Sequence, residues 1–291
     1  MSTYKVLTEE QVQSFLDNGY LVVKDCFDRE FATQWTDHAF ERLGYDANDR
    51  STWEKEIIWM DHAFQRPVAE ISQKAWDAIC DVVGGAARIE DKVMRLVSSG
   101  HFTTVNSREW SDSFIVNLKR GENEAWVPPS PTSGGWHKDG SYFNHFIDSR
   151  EQALLTIVLW SDIDHKGGGT FIAPDSVRRV ARYLRDHPEG GERGFAQKLI
   201  QQCEEFVEVT GETGDFIILH PFMIHSSSHN HSGRPRFMTN PPVVLKEPMN
   251  LNRENADEFS LLERATLHYL GLDRLDFRRT APREERWTIV A

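Results

Sequence analysis

The hydrophobic residues of the first hundred positions recur mostly at the spacing of an α-helix. The segment Thr8-Glu9-Glu10-Gln11 has the form of a capping box, and Gly19 can end the helix that begins there. Asp28 can cap a second helix, and a third is expected over 68–83. We therefore expect residues 1–113 to be mainly helical.

The pattern changes near Phe114 to short apolar or alternating runs separated by Gly, Pro, Ser and Asn, which is typical of strands. Such runs lie at 114–116, 153–160, 170–172, 206–209, 216–219 and 237–245, with an earlier one at 20–23. A helical insert is expected over about 176–202, and a last helix from Asn255, where a capping signal lies, to Gly271.

Closely spaced strands indicate a barrel or a sandwich. No internal repeat or linker divides the chain, so we expect a single domain over 1–291. Within it, residues 114–250 would form the β core, and 251–291 a C-terminal helix and tail.

The charge and cysteine content narrow the possible partners and surroundings. The net charge of -12 disfavours nucleic acid and anionic membrane surfaces as partners, and no run of about 20 apolar residues predicts a membrane span. Three separated cysteines indicate reduced thiols, so we expect a cytoplasmic protein that acts on a small molecule. The oligomeric state is left open.

The first candidate for chemistry is His137-Lys138-Asp139, because residues i and i+2 of a strand point to the same side. An imidazole and a carboxylate could then bind one metal ion. With 12 histidines and 45 acidic residues, about two His-x-acid matches are expected by chance. The chain has two, the other being His187-Pro188-Glu189, so this motif alone is weak evidence.

The second candidate lies where a strand at 216–219 leads into a segment rich in histidine. The loop-forming residues 228–233 then precede another apolar run, which predicts a hairpin. A turn centred between residues 230 and 231 would place Arg236 opposite His225, with Ser227 on the same face as His225. His225 is favoured as the distal metal ligand over His220, His229 and His231, since two of these belong to the turn and His220 precedes a proline.

Two histidines and one carboxylate on one face of Fe(II) leave the opposite face open, an arrangement typical of non-haem iron oxygenases. The open positions can accept a 2-oxo acid and dioxygen. The far carboxylate of 2-oxoglutarate would still need a partner, and the planar fork of an arginine such as Arg236 suits it.

At this point the sequence resembles the phytanoyl-CoA dioxygenase family of Fe(II)/2-oxoglutarate-dependent oxygenases over nearly its whole length. The blocks that carry the resemblance are Leu7-Thr8-Glu9-Glu10-Gln11, Asn18-Gly19-Tyr20-Leu21-Val22-Val23, His137-Lys138-Asp139, Leu159-Trp160-Ser161-Asp162-Ile163, Gly168-Gly169-Thr170-Phe171-Ile172, Gly214-Asp215, His225-Ser226-Ser227 and Arg234-Pro235-Arg236. One departure is Ala173-Pro174-Asp175-Ser176, where the family usually has Pro-Gly-Ser-His.

The resemblance implies a mainly β fold with α additions: a double-stranded β-helix, a jelly-roll or cupin-like barrel with helices outside. It implies that the iron ligands are His137, Asp139 and His225. It also implies that Arg236, rather than Arg234, binds 2-oxoglutarate. Ser227 and Trp160 match family positions that contact this co-substrate, and Phe114 falls near another.

The expected function is that of a dioxygenase that uses Fe(II), 2-oxoglutarate and O2 and hydroxylates a small organic molecule, such as a secondary metabolite or a lipid-like one, with release of succinate and CO2. Desaturation, epoxidation and cyclisation share the same first step. Halogenation is disfavoured, because related halogenases have a small residue where this chain has Asp139. Tyr142, Phe143 and His145 follow closely and are candidates for substrate contact. Nothing in the chain signals CoA binding.

Two classes of function compete with this interpretation. A cupin-like metalloprotein that does not use 2-oxoglutarate would explain the strands and the histidines, but it would leave Arg236 without a function. A non-catalytic binding module would keep the barrel and bind no metal.

Overall fold

A computed structural model describes residues 4–96, 102–140 and 143–283 of the chain. The helices are α1 Glu9–Asn18, α2 Arg29–Leu43, α3 Val68–Ile71, α4 Gln73–Val83, α5 Ser176–Asp186, α6 Phe195–Leu199 and α7 Leu261–Leu270. The strands are β1 Tyr20–Val23, β2 Ile57–Trp59, β3 Gln65–Pro67, β4 Lys92–Leu96, β5 Phe102–Asn106, β6 Glu109–Ser111, β7 Ile115–Asn117, β8 Leu155–Leu159, β9 Thr170–Ala173, β10 Val207–Glu208, β11 Phe216–Leu219, β12 Ile224–Ser227 and β13 Arg236–Thr239.

Two antiparallel sheets form the β core. The major sheet has the order β1-β11-β8-β13-β7-β2, and the minor sheet has the order β10-β9-β12. In the described residues no strand pair joins the two sheets, so the barrel is not closed by hydrogen bonds. The architecture is the expected one, mainly β with α, in the form of a double-stranded β-helix. The pairs β3–β6 and β4–β5 form separate two-stranded sheets.

One contact between the sheets identifies their inner faces. Thr170 Oγ1 of the minor sheet lies 3.6 Å from Met238 Sδ of the major sheet. Ser227 is the cross-strand partner of Thr170, and His225 shares a face with Ser227 because side chains alternate along a strand. Arg236 shares a face with Met238 for the same reason. These side chains therefore face the space between the two sheets.

The opposite face of the major sheet is covered by α2. Trp35 of this helix stacks on Trp160, which follows β8, with ring centroids 4.5 Å apart. Phe40, five residues further along α2, packs edge-on against Phe237 of β13 at 5.2 Å. The hydrophobic core is one contiguous cluster that includes residues of helices and of both sheets.

The predicted starts of the first two helices are confirmed. Thr8 and Gln11 exchange both hydrogen bonds of a capping box, and the side chain of Asp28 accepts from the backbone N–H of Phe31. The helix expected over 68–83 is interrupted at Ser72, whose backbone is extended and whose hydroxyl caps α4. The expectation that residues 1–113 are mainly helical missed five short strands, β2 to β6.

Two boundaries in the second half were also predicted wrongly. Asn255 caps only a single 3-10 turn, and α7 begins after Ser260, which forms a capping box with Glu263. The strand expected over 237–245 ends at Thr239, because the two prolines that follow at 241–242 cannot donate to a neighbouring strand.

Among the described residues, no helix is both long enough and apolar enough to cross a membrane.

Candidate metal centre and co-substrate site

His137, Asp139 and His225 form a group that can hold a metal ion, since one ligand atom from each lies within 4.8 Å of the other two. The Asp139 Oδ1 atom is 3.5 Å from His137 Nε2 and 3.6 Å from His225 Nε2. Two imidazole nitrogens and one carboxylate oxygen are the donors that Fe(II) takes in non-haem oxygenases. The donor set therefore fits the expected metal.

Backbone pairing brings together two ligands that are 88 positions apart in the chain. The N–H of His137 donates to the carbonyl of His225, and the N–H of His225 donates to the carbonyl of His137, both at 2.9 Å. His137 thus extends the minor sheet beside β12. Asp139, two residues further, points to the same side as His137, as its spacing predicted.

Each histidine ring is oriented by a carbonyl two residues before it. His137 Nδ1 lies 2.8 Å from the carbonyl oxygen of Gly135, and His225 Nδ1 lies 3.3 Å from that of Met223. A protonated Nδ1 donates to such a carbonyl, which leaves the lone pair of Nε2 for a metal. Both Nε2 atoms are directed toward Asp139.

The charge state of the carboxylate suits a metal ligand. Burial alone would raise the pKa of Asp139, but the charge of His225 and hydrogen bonds from His137 and His225 outweigh it and hold that pKa well below its usual value. The carboxylate is therefore ionised at neutral pH. The His137 side chain is 48% exposed and that of His225 is 9% exposed, so the centre is reached from the His137 side.

Arg236 is a buried guanidinium that has no acidic partner among the described residues. Its Nε is buried and makes no hydrogen bond, Nη1 is 3.5 Å from the carbonyl of Ile115, and no carboxylate of residues 4–96, 102–140 or 143–283 pairs with it. Burial, together with the positive charge of Arg120, lowers the pKa of Arg236 to about 10, so it remains a cation at neutral pH. A buried cation of this kind can bind an anion that the chain does not supply.

The predicted hairpin between His225 and Arg236 is wrong. Strand β12 pairs with β9 in the minor sheet, whereas β13 pairs with β7 and β8 in the major sheet. His225 and Arg236 are therefore not cross-strand neighbours. They face the same space from two different sheets.

Ser227 lies on the inner face beside the metal ligands, where the sequence predicted it. Its hydroxyl accepts a hydrogen bond from Nη1 of Arg120. The residue is exposed although it faces the space between the sheets, which means that solvent reaches this part of the space.

The positions of Trp160 and Phe114 contradict the expected contact with the co-substrate. Trp160 stacks on Trp35, and its indole N–H donates to the Thr239 hydroxyl at 3.0 Å. The ring of Phe114 packs edge-on against Trp160 at 5.5 Å and against Phe237 at 5.4 Å. Both belong to the aromatic cluster under α2, on the face of the major sheet opposite to Arg236.

Two of the three candidates for substrate contact, Phe143 and His145, lie beside the half-buried Lys138. Lys138 Nζ lies 2.8 Å from His145 Nδ1, and the ring of Phe143 packs on that of His145 at 4.3 Å. Burial, and then the charge of Lys138, holds the pKa of His145 well below its usual value, so this ring is neutral. Tyr142 lies outside the described residues. Substrate contact by these three residues stays a prediction.

The other three histidines of the distal segment are occupied elsewhere. His220 is fully buried with Nε2 3.1 Å from the Thr266 hydroxyl, and burial lowers its pKa to about 3. His231 Nε2 is 2.9 Å from the carbonyl of Gly121, and His229 is stacked beside it. Only His225 of the four lies with Asp139 in the metal-binding group found among the described residues.

Sequence reasoning missed Arg120, which the fold brings to Ser227. This residue lies three positions beyond β7, in a segment with no recognisable motif. The pairing of β7 with β13 could have indicated it, but that pairing joins segments far apart in the chain.

The profile of the family described as phytanoyl-CoA dioxygenase (PhyH) matches residues 15–238 of the chain. This range includes all three members of the metal-binding group and Arg236. No curated protein matches the sequence.

The solved structures that match the chain are distant in sequence. The iron-bound EctD from S. alaskensis has 16% identity and a TM-score of 0.48, with 97% of this chain and 90% of that chain covered. The carbocyclase SnoK from nogalamycin biosynthesis, described as non-haem and alpha-ketoglutarate-dependent, has 16% identity and a TM-score of 0.46, with 84% and 85% covered. EvdO2 from Micromonospora carbonacea var. aurantiaca has 15% identity and a TM-score of 0.43, with 85% and 97% covered.

Proposed function

This chain belongs to the phytanoyl-CoA dioxygenase family of non-haem iron, 2-oxoglutarate-dependent oxygenases, and from that premise we propose that it hydroxylates a small organic molecule. The reaction would convert 2-oxoglutarate and O2 into succinate and CO2, with one oxygen atom entering the substrate. The observation that carries the proposal is a metal-binding group and an unpaired buried arginine, both facing the space between the two sheets.

Each inner-face residue has a distinct part in this proposal. His137, Asp139 and His225 bind the iron on one side and leave the other side open. Arg236 binds the far carboxylate of 2-oxoglutarate, and the Ser227 hydroxyl donates to the same carboxylate. When bound, iron supplies the activation of O2 and the removal of a substrate hydrogen, while these residues hold the reactants in position.

The ionised carboxylate of Asp139 favours oxygenation over halogenation, because with iron bound it would take the place that chloride needs. Desaturation, epoxidation and cyclisation begin with the same loss of a hydrogen atom. Hydroxylation is the default among these outcomes. The net charge of -12 makes a small molecule a better substrate than a polyanion such as nucleic acid.

Assays for binding and turnover of 2-oxoglutarate test the proposal. The Fe(II)-loaded protein is expected to hold about one iron per chain, to bind 2-oxoglutarate, and to release succinate with a panel of small organic substrates. A protein that shows no affinity for 2-oxoglutarate and releases no succinate with any of these substrates would overturn the proposal. A cupin-like enzyme would bind the metal without 2-oxoglutarate, and a binding module would hold no iron.

Two variants test the ligand assignment. Asp139→Ala removes the only carboxylate of the metal-binding group, so succinate release should fall by about 100-fold or more and the affinity for iron should decrease. His229→Ala is the matched control, because this histidine is outside the group and should leave both values within about twofold of wild type. Loss of iron from the control, with retention by Asp139→Ala, would show that the wrong residues were assigned.

A further inference from the structure

A second guanidinium, that of Arg120, reaches the Ser227 hydroxyl on the inner face of the minor sheet. Arg120 follows β7, the strand that pairs with β13, and its Nη1 donates a hydrogen bond to the Ser227 hydroxyl. Its backbone is held at two points. The N–H donates to Asn117 Oδ1 at 3.1 Å, and the carbonyl accepts from the N–H of Asn230 at 2.9 Å. The side chain therefore extends from a fixed position.

The hydrogen bond from Arg120 determines what Ser227 can offer to a ligand. A serine hydroxyl has one proton and two lone pairs. Because a guanidinium only donates, the bond uses a lone pair of Ser227 and leaves the proton for an acceptor. The hydroxyl is thus prepared to donate to an anion.

The charges of the half-exposed Arg120 and the buried Arg236 also bear on what the site can bind. In the part of the chain that the structure describes, neither Arg120 nor Arg236 forms an ion pair with a carboxylate. The charge of Arg120 contributes to the lowered pKa of Arg236, which places the two cations within electrostatic reach of each other. Two such cations repel each other unless an anion lies between them.

We propose that Arg120 is a positioning residue of the co-substrate site, which orients the Ser227 hydroxyl toward the far carboxylate of 2-oxoglutarate and adds a second positive charge beside Arg236. This inference rests on the proposed function. A carboxylate on the substrate has the same chemistry and could be the partner of Arg120 instead, so the experiment must separate the two sources.

The test compares two 2-oxo acids that differ only in the far carboxylate. The Fe(II)-loaded full chain is titrated without O2, and the visible absorption of the iron–2-oxo acid chelate reports binding. The probes are 2-oxoglutarate and 2-oxobutyrate, which lacks the far carboxylate. Variants are Arg120→Gln, Arg120→Lys and the control Arg234→Gln, since Arg234 is exposed and pairs with Asp164.

In Arg120→Gln, the dissociation constant for 2-oxoglutarate is expected to rise about tenfold, because a charge-assisted contact is lost. The constant for 2-oxobutyrate should stay unchanged. Arg120→Lys should recover part of the affinity, and Arg234→Gln should behave as wild type. In turnover, KM for 2-oxoglutarate should rise while kcat at saturation is retained.

Two results would overturn the inference. Equal weakening for both 2-oxo acids would mean that Arg120 acts on the structure of the whole site. Unchanged affinity for 2-oxoglutarate in both Arg120 variants would assign the residue to a substrate carboxylate or to the surface. If the unmodified protein binds neither 2-oxo acid, the proposed function itself fails. This failure is distinguishable from failure of the inference about Arg120, because it is seen without any variant. Arg120→Lys keeps the test available should Arg120→Gln not fold.

Discussion

Adjacent residues of strand β13 point to opposite faces of the major sheet. Arg236 faces the space that holds the metal-binding group, whereas the adjacent Phe237 packs against Phe40 of α2. Since side chains alternate along a strand, a shift of register by one residue would exchange the cation and the ring. The aromatic cluster on the outer face therefore also keeps Arg236 on the inner face.

The outer position of Trp160 leads to a prediction at this scale. Trp160→Phe removes the hydrogen bond to Thr239 and reduces the stacked area on Trp35, so the free energy of unfolding should fall by about 1–3 kcal/mol. Affinity for 2-oxoglutarate should be unchanged. Urea denaturation and 2-oxo acid titration measure the two effects. Weaker co-substrate binding with unchanged stability would instead support the contact expected from the sequence.

Among the elements, α7 is distinguished by the N-terminal capping box of Ser260 and Glu263, in which Glu263 is fully buried. Arg88 Nη2 donates to its carboxylate at 2.6 Å, and the backbone N–H groups of Ser260 and Asn250 donate to it at 2.9 Å. The carboxylate therefore joins the start of α7 to Arg88 and to Asn250, and α7 itself packs against α1, α4 and α5.

The stability that Glu263 provides should depend on pH. Burial alone would raise its pKa, but Arg88 and the two backbone N–H groups outweigh burial and lower it below the usual value. A lowered folded-state pKa gives stability that is present above the unfolded-state pKa, about 4.3, and is lost as pH falls through the folded-state value. Glu263→Gln should therefore be less stable than wild type at pH 7, and the difference should shrink below about pH 4.3.

Chemical denaturation at pH 7 and at pH 3.5 measures this dependence. The matched control is Glu258→Gln, an exposed glutamate of the preceding 3-10 turn, which should change little at either pH. A constant difference between Glu263→Gln and wild type at both pH values would contradict the prediction.

At the scale of the whole molecule, the end of the described chain packs against residues 146–151, in the segment that follows His137 and Asp139. Arg283 donates to both carboxylate oxygens of Glu151 at 2.8 Å and to Asp148 at 2.8 Å, and its guanidinium lies over the ring of Phe146. Glu151 is fully buried. The C-terminal segment therefore neutralises a charge inside the molecule.

Removal of this arginine should be costly. Arg283→Met leaves the Glu151 carboxylate buried and unpaired, so the free energy of unfolding should fall by about 3–5 kcal/mol. Arg278→Met is the control, because its ion pair with Asp276 is exposed and should contribute less than about 1 kcal/mol. Urea denaturation compares the two, and equal stabilities would show that Arg283 does not carry this role.

Local patterns were sufficient for several features of the molecule. The sequence alone determined the capped starts of α1 and α2, the strand-rich second half and the paired orientation of His137 and Asp139. Each of these depends on residues a few positions apart, where hydrogen bonds and side-chain direction follow from backbone geometry. The expected iron and co-substrate chemistry came from such spacings together with the family resemblance.

Only the tertiary structure decided how distant segments meet. It assigned β12 and β13 to different sheets, turned Trp160 toward α2, and brought Arg120 to Ser227. The sequence pattern could not decide these points, because the pairing partners lie far apart along the chain. Both faces of the major sheet are covered, so an apolar side chain such as Trp160 could be buried on either face. The residues that pack against it decide which face it takes.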